Sequence, residues 1–286
     1  MGWEGWGVTR RIGFVRLSDL TPFAGDLEAD GDYDGVELMN LDLTGQNAEN
    51  SRFLGSRLAG CVLDDVALTQ AQIADCVLTD LRAHTLGAID SAWRDVAVTD
   101  CRLGAVTAYG AHLTRVRITG GKLDYVNLRD GALTDVVFED CVIGELDLIG
   151  ARLLRVTFTG CRVGQLDLTR ATLDRVDLRG ANYSALRGLA NLRGATISSD
   201  QLTDLAPHLA VHLGAWVRSG GAGSGSTRRS SGVVAVDLLV GGGWGAVNCP
   251  VASSAAGQGR PRPRSGGRPC RLRFRRGPRA GLCSAW

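Results

Sequence analysis

The chain has 286 residues and is 44% hydrophobic, enough for one large core or two modest ones in an ordinary water-facing protein. Its net charge of +2 hides two opposite parts, since residues 1–217 sum to −9 and residues 218–286, with 12 Arg and only Asp237, sum to +11. No apolar run is long enough to suggest a membrane span, and the start lacks the continuous apolar stretch of a secretory signal, so a cytoplasmic protein is expected.

Residues 1–35 read as an N-terminal cap and lead-in. Within them "DGDYDG" sets Asp30, Asp32 and Asp34 at alternate positions before Gly35, as a calcium loop does. The twelfth position is Leu41 where a bidentate Glu belongs, and no helix pattern flanks the loop, so an acidic turn is the reading.

From Val36 to Ala185 a five-residue frame runs without insertion or deletion, and every third position is uncharged, from Leu38, Leu43 and Phe53 to Leu178 and Tyr183. First positions are small or apolar apart from Gln46, Ser51, Ser56 and Ser91, so charge is confined to the second, fourth and fifth places. A helix turns 100° per residue and would scatter these positions around its cylinder, while a flat strand cannot hold two outward residues in succession. The fifth position supplies a bend, because Gly, Asn and Asp dominate it. No Pro occurs within the frame, as expected where most amides serve a neighbouring strand.

First positions also repeat at twenty residues: Val96, Val116, Val136, Val156 and Val176 form one column, and Cys61, Cys101, Cys141 and Cys161 another. This implies four sides per coil, about 7.5 coils and, at ~4.8 Å per coil, a rod of roughly 36 Å. Inward Cys are expected as buried thiols, although Cys141 and Cys161 are close enough in the column for a disulfide. Trp93 stands at a third position with Ala83 and Ala88 as coil-mates, and the two small residues are expected to offset the large ring. On that reading Ala88→Leu overfills the layer and destabilises the fold by a few kcal/mol.

The units "ARLLR", "ATLDR" and "ANYSA", with "CRLGA" and "CRVGQ" carrying Cys first, closely resemble those of the pentapeptide-repeat family. The resemblance implies a right-handed, four-sided β-helix, an all-β solenoid. Use of Arg in place of Lys throughout, Lys122 excepted, fits a bacterial member encoded by GC-rich DNA.

Residues 186–217 read as a C-terminal helical cap. The frame slips in "LRGLANLRGATISS", and the next segment carries a capping box at Ser198 and Gln201, a stop at Gly214, and Leu202, Leu205, Leu209 and Leu213 on one side. Pro207 suits the start of a second short helix, so a break is expected there. In family members that dimerise, this segment often forms the contact, which leaves a homodimer through the cap open beside a plain cap. Residues 218–286 shift to Gly, Ser and Arg and are expected to be disordered. They read either as an Arg-rich arm, which alone would bind nucleic acid directly, or as the product of a frameshift in GC-rich DNA.

Chemistry is sparse. No CxxC pair supports zinc, His208 and His212 share a helix face without a third ligand, and His84 and His112 lie outward with no nucleophile signature. No enzyme, metal or cofactor is expected. One outward feature stands out: fifth positions at two neighbouring corners stack as Asp75, Asp95 and Asp135, with Asp80, Asp100 and Asp140 beside them. Several family members bind DNA gyrase and protect it from quinolones or other poisons. The resemblance therefore implies a protein partner, with this acidic strip replacing DNA phosphates on gyrase or another type II topoisomerase. The alternative is an adaptor that binds protein through an outer face and has no topoisomerase role; the frame's net charge of −5 is only mildly acidic.

Overall fold

A computed structural model describes residue 17 and residues 19–215. Short parallel strands succeed one another around a four-sided path, and each strand lies over the one twenty residues earlier, as Val116 over Val96 and Leu123 over Leu103 show. The result is a β-solenoid of about eight turns with a single helix near its C-terminal end. Third positions point inward and form a continuous core: Leu38, Leu43, Leu133, Leu148, Leu168 and Leu178 have essentially no exposed surface. Where the first position is polar, its hydrogen bonds are met locally. The Ser51 and Ser91 hydroxyls donate to the Ala48 and Ala88 carbonyls at 2.7 and 2.6 Å, and Ser56 donates to the Tyr33 carbonyl at 2.8 Å.

Corners are made in two ways. Most fifth residues adopt left-handed backbone, Asp, Asn and Gly as expected but also Arg115, Arg155 and Arg175 at φ 53–54°. One corner differs. From Thr85 through Ala105, Tyr125, Glu145 and Gln165 to Ala185 the fifth residues are absent from the left-handed region, and strands such as Arg102–Thr107 and Val142–Asp147 run straight through the bend. The preceding position there is often glycine, and for a physical reason: a Cβ on Gly104, Gly144 or Gly164 would collide with the carbonyl of His84, Asp124 or Gly144 in the coil below.

The sheet begins before Val36. Strands Thr21–Phe23 and Asp32–Asp34 pair with later coils, and Tyr33 is buried with its ring stacked on Phe53 at 4.7 Å. "DGDYDG" is thus a rung of the solenoid, with Asp32 held by Arg52 at 3.1 Å and Asp30 accepting from Asn50 at 2.5 Å.

After Ala181–Arg187 a short 3-10 turn, Leu189–Asn191, takes up the slip in the frame, and Ala195 pairs with Val176 at nineteen residues. Helix α1 (Ser199–His212) opens on the capping box, with Gln201 N–H donating to Ser198 Oγ at 3.1 Å and Ser198 N–H to Gln201 Oε1 at 2.9 Å. It closes on Gly214 at φ 69°, with Ala215 N–H bonded to Ala210 O and Gly214 N–H to Val211 O, a Schellman stop. The expected break at Pro207 does not occur. The carbonyl deprived of a partner belongs to Thr203, which is exposed like Pro207, so water satisfies it and the helix continues. Of the four Leu expected on one side only Leu205 is buried; Leu202 and Leu213 are 51% and 79% exposed. Residues 216–286, and with them the readings placed on the tail, lie outside the described residues.

The Trp93 layer departs from the expected close packing. Trp93, Val98, Leu103, Val106 and Ile118 keep exposed surface although they point inward, and together with Ala88 and Ala108 they line part of an apolar cavity of about 110 Å³ whose walls extend from Leu27 and Phe53 to Phe138. The indole N–H donates to Ser91 Oγ at 2.8 Å, which ties the ring to its own side. Three Ala at third positions in two consecutive coils remove more volume than one Trp returns, so the layer is underfilled and the reading of Ala88→Leu as overpacking is reversed.

Candidate functional site

Asp75, Asp80, Asp95, Asp100, Asp135 and Asp140 all occupy corners in left-handed backbone, at φ 48–56°, a conformation that a short carboxylate tolerates. They border one side of the solenoid. On that side Val77, Ala97, Arg117, Val137 and Thr157 form one outward rank, and Thr79, Thr99, Thr119, Glu139 and Thr159 another. Asp75, Asp95 and Asp135 stand where the chain enters this side, and Asp80, Asp100 and Asp140 where it leaves.

The two columns differ electrostatically. In the first, Arg115 grips Asp95 through Nε and Nη2, both at 2.5 Å, and Arg155 grips Asp135 in the same bidentate way, with Nη2 to Oδ2 at 2.6 Å. Each Arg comes from the coil above its Asp, so the column, which runs Asp75, Asp95, Arg115, Asp135, Arg155, Arg175, carries both signs, and the Asp95 carboxylate raises the Arg115 pKa further above its ordinary value. Arg117 and Glu139, paired at 2.5 Å, cross the side between the columns.

In the second column Asp80 pairs with Arg82 around the corner at 3.3 Å. Asp100 and Asp140 make no ion pair among the described residues. Their side chains lie against Gly120 and Gly160 one coil above, where a Cβ would collide with Oδ1, and Asp90 and Asp130 stand in the same relation to Gly110 and Gly150. At these four corners the residue twenty places later is glycine, whereas above Asp95 and Asp135 it is an arginine that turns back to the carboxylate. The four glycines are present in the sequence, but their reason becomes visible only once the coils are stacked.

Sequence reasoning also missed a basic rank on the adjoining side. Arg82, Arg102 and Lys122 lie in direct register, with Val142 and then Arg162 continuing the column. Lys122 is paired with Asp124 at 2.9 Å, whereas Arg102 and Arg162 make no ion pair among the described residues. The column of Asp80, Asp100 and Asp140 therefore faces positive charge across its own corner, which weakens its field toward a basic partner.

Other candidates resolve into structure. Cys61, Cys76, Cys101, Cys141 and Cys161 are free and buried, and burial pushes the Cys76 and Cys101 thiols up to about 11. His84 is an exposed partner of Asp64, at 2.8 Å, and that carboxylate raises its pKa above the ordinary value. Among the described residues no cluster of three or more His, Cys, Asp or Glu could hold a metal ion, and no helix is long and apolar enough to cross a membrane.

A five-residue frame wound into four sides, with aliphatic third positions and small first positions, defines a class of repeat solenoid. Residues 151–182 match the family model described as pentapeptide repeats (8 copies), and this stretch of the chain belongs to that family. Among solved structures it is similar to HetL, a pentapeptide repeat protein involved in heterocyst differentiation regulation in the cyanobacterium Nostoc sp. strain PCC 7120. That likeness has 18% identity, covers 59% of this chain and 90% of HetL, and has a TM-score of 0.29. It is similar too to QnrB1, a plasmid-mediated fluoroquinolone resistance protein, at 19% identity over 66% of this chain and 100% of that one, with a TM-score of 0.31. No curated protein matches the chain.

Proposed function

We propose that the protein is a non-enzymatic binding rod, whose partner-binding surface is the side bounded by the two Asp columns. The observation that supports this reading is the side itself. It is a parallel-sheet surface of Thr, Val and Ala in register over successive coils, edged by Asp75, Asp95 and Asp135 and by Asp80, Asp100 and Asp140. Parallel strands held at a fixed spacing offer a partner a repeating surface that needs no ordering on binding, so affinity is not spent on conformational entropy.

A second reading makes the partner DNA gyrase or another type II topoisomerase, with the Asp edges in the place of DNA phosphates. Asp100 and Asp140, which lack ion pairs among the described residues, favour it; the guanidinium groups on Asp95 and Asp135 weigh against it. Gyrase supercoiling with the intact protein, with and without a quinolone, separates the readings. If the Asp edges substitute for DNA, the protein alters supercoiling or quinolone inhibition at micromolar concentration, and changing all six Asp to Asn weakens that effect by an order of magnitude. An unaltered assay, or equal potency of the sixfold variant, removes the DNA-mimic reading and leaves an adaptor for another protein.

A further inference from the structure

The last rung of the solenoid is capped at one point and open at the next. Strand Ala181–Arg187 pairs with Cys161–Asp167 beneath it and is the terminal strand of its sheet. In lower coils the third and fifth amides of this side donate to the coil above, as Leu63 N–H does to Arg82 O and Asp65 N–H to Thr85 O, while the first carbonyl accepts, as Cys61 O does from Arg82 N–H. The matching groups on the last rung are the amides of Tyr183 and Ala185 and the carbonyl of Ala181.

Helix α1 takes up only the carbonyl. Gln201 Nε2 donates to Ala181 O and to Leu178 O, each at 2.8 Å, so a side-chain amide stands in for the backbone N–H of a coil that is not there. Beyond Gln201 the helix and the strand are separated by a gap of about 820 Å³, lined by Asn182, Ser184, Arg179, Asp200, Asp204 and His208 among others. That volume falls in the range of about 300–1,000 Å³ typical of ligand sites.

The gap has a definite chemistry. Asp200 and Asp204 are one helical turn apart on α1 and make no ion pair among the described residues, whereas the charge of Arg179 is already matched by Asp177 at 2.6 Å. The Tyr183 hydroxyl is buried without a hydrogen-bond partner. Such a group is destabilising unless something supplies a bond. Burial, and then the charge of Asp204, raise its pKa.

We propose that this gap binds an extended peptide carrying a lysine or arginine, added as a parallel strand on Ala181–Arg187 with its cation at Asp200 and Asp204. Two amides two residues apart on one edge match the spacing of alternate carbonyls in an added strand, about 6.6 Å, which a compact small molecule does not span. The carboxylates select the sign of the side chain, and the Tyr183 hydroxyl gains its missing partner.

Hydrogen exchange on the intact protein, read at single amides, tests this with three acetylated and amidated probe peptides: TVKVTVT, its glutamate counterpart TVEVTVT, and TVKVPVT, whose proline spoils the strand. TVKVTVT at millimolar concentration is expected to slow exchange of the Tyr183 and Ala185 amides about tenfold, with less than about twofold slowing by the other two. Asp204→Asn, at an exposed position, is expected to weaken the lysine peptide about tenfold and leave exchange in lower coils unchanged. Exchange of the two amides that TVKVTVT does not alter overturns the proposal, as does equal slowing by the glutamate peptide. Slow exchange of both amides in the free protein at every concentration shows a closed edge and also overturns it; protection that grows with protein concentration assigns the edge to a second copy instead of a peptide.

Discussion

The coils of residues 81–120 and those of residues 131–180 share one repeat frame but not one quality of packing. In the later coils the third-position residues Leu133, Ile143, Leu148 and Leu168 are fully buried. In the earlier coils Trp93, Val98, Leu103 and Ile118 occupy equivalent positions yet face a cavity of about 110 Å³. The backbone register is the same in both, with twenty residues per coil throughout. The frame therefore specifies the path of the chain, and the volumes of the third residues separately decide how firmly each coil is held.

Truncating equivalent leucines is the most forceful way to break that comparison. Leu148→Ala removes a side chain with no exposed surface from a filled layer and is expected to destabilise the protein by about 3–5 kcal/mol. Leu103→Ala enlarges space that already exists and is expected to be milder by about 1 kcal/mol or more. Urea titration of both variants checks the pair, and equal losses would mean that the two halves are packed alike.

The later coils are constrained from outside as well. Gly160 sits at φ 63° against the Asp140 side chain, so Gly160→Ala meets both left-handed strain and a collision with Oδ1. A loss of about 2 kcal/mol is expected, roughly half of it from the backbone conformation alone. Adding Asp140→Ala removes the collision and leaves the strain, so the double variant is expected to recover about 1 kcal/mol relative to the sum of the singles. Additive losses in a double-mutant cycle would show that the aspartate is not what excludes a side chain there.

Legibility in the sequence divides along the same line. The coil, the side and the inward positions could be read because each is a periodicity, and the capping box at Ser198 and Gln201 could be read because it is local. Pro207 misled, since whether a helix breaks depends on whether the orphaned Thr203 carbonyl meets water, a matter of tertiary exposure. The hollow at Trp93 was not legible, because residue volumes in one layer do not fix how the ring sits or what the neighbouring layer contributes. Ala108, one coil later, turns a balanced layer into an underfilled one. The six Asp of the strip could be placed from the frame, but their pairing with Arg115 and Arg155 and the opposing rank at Arg82 and Arg102 emerge only when adjacent coils and sides are seen together.

The smallest expected effect reverses an ordinary intuition about solenoid interiors. Ala88 is buried at a third position, and by analogy with the later coils a leucine there would collide with its neighbours. It borders the cavity, however, together with Trp93, Ala108 and Leu113. Added methyl groups can enter space lined wholly by apolar side chains, where each buried methylene contributes about 0.8 kcal/mol before rotamer and fitting losses. Ala88→Leu is accordingly expected to stabilise the protein by about 1 kcal/mol, while Ala151→Leu, at a first position in the filled coils, is expected to destabilise it by about 1–3 kcal/mol. Opposite shifts of the urea midpoint in the two variants would locate the slack in the early coils; a loss in both would mean that the Trp93 layer is too rigid to accept the added volume.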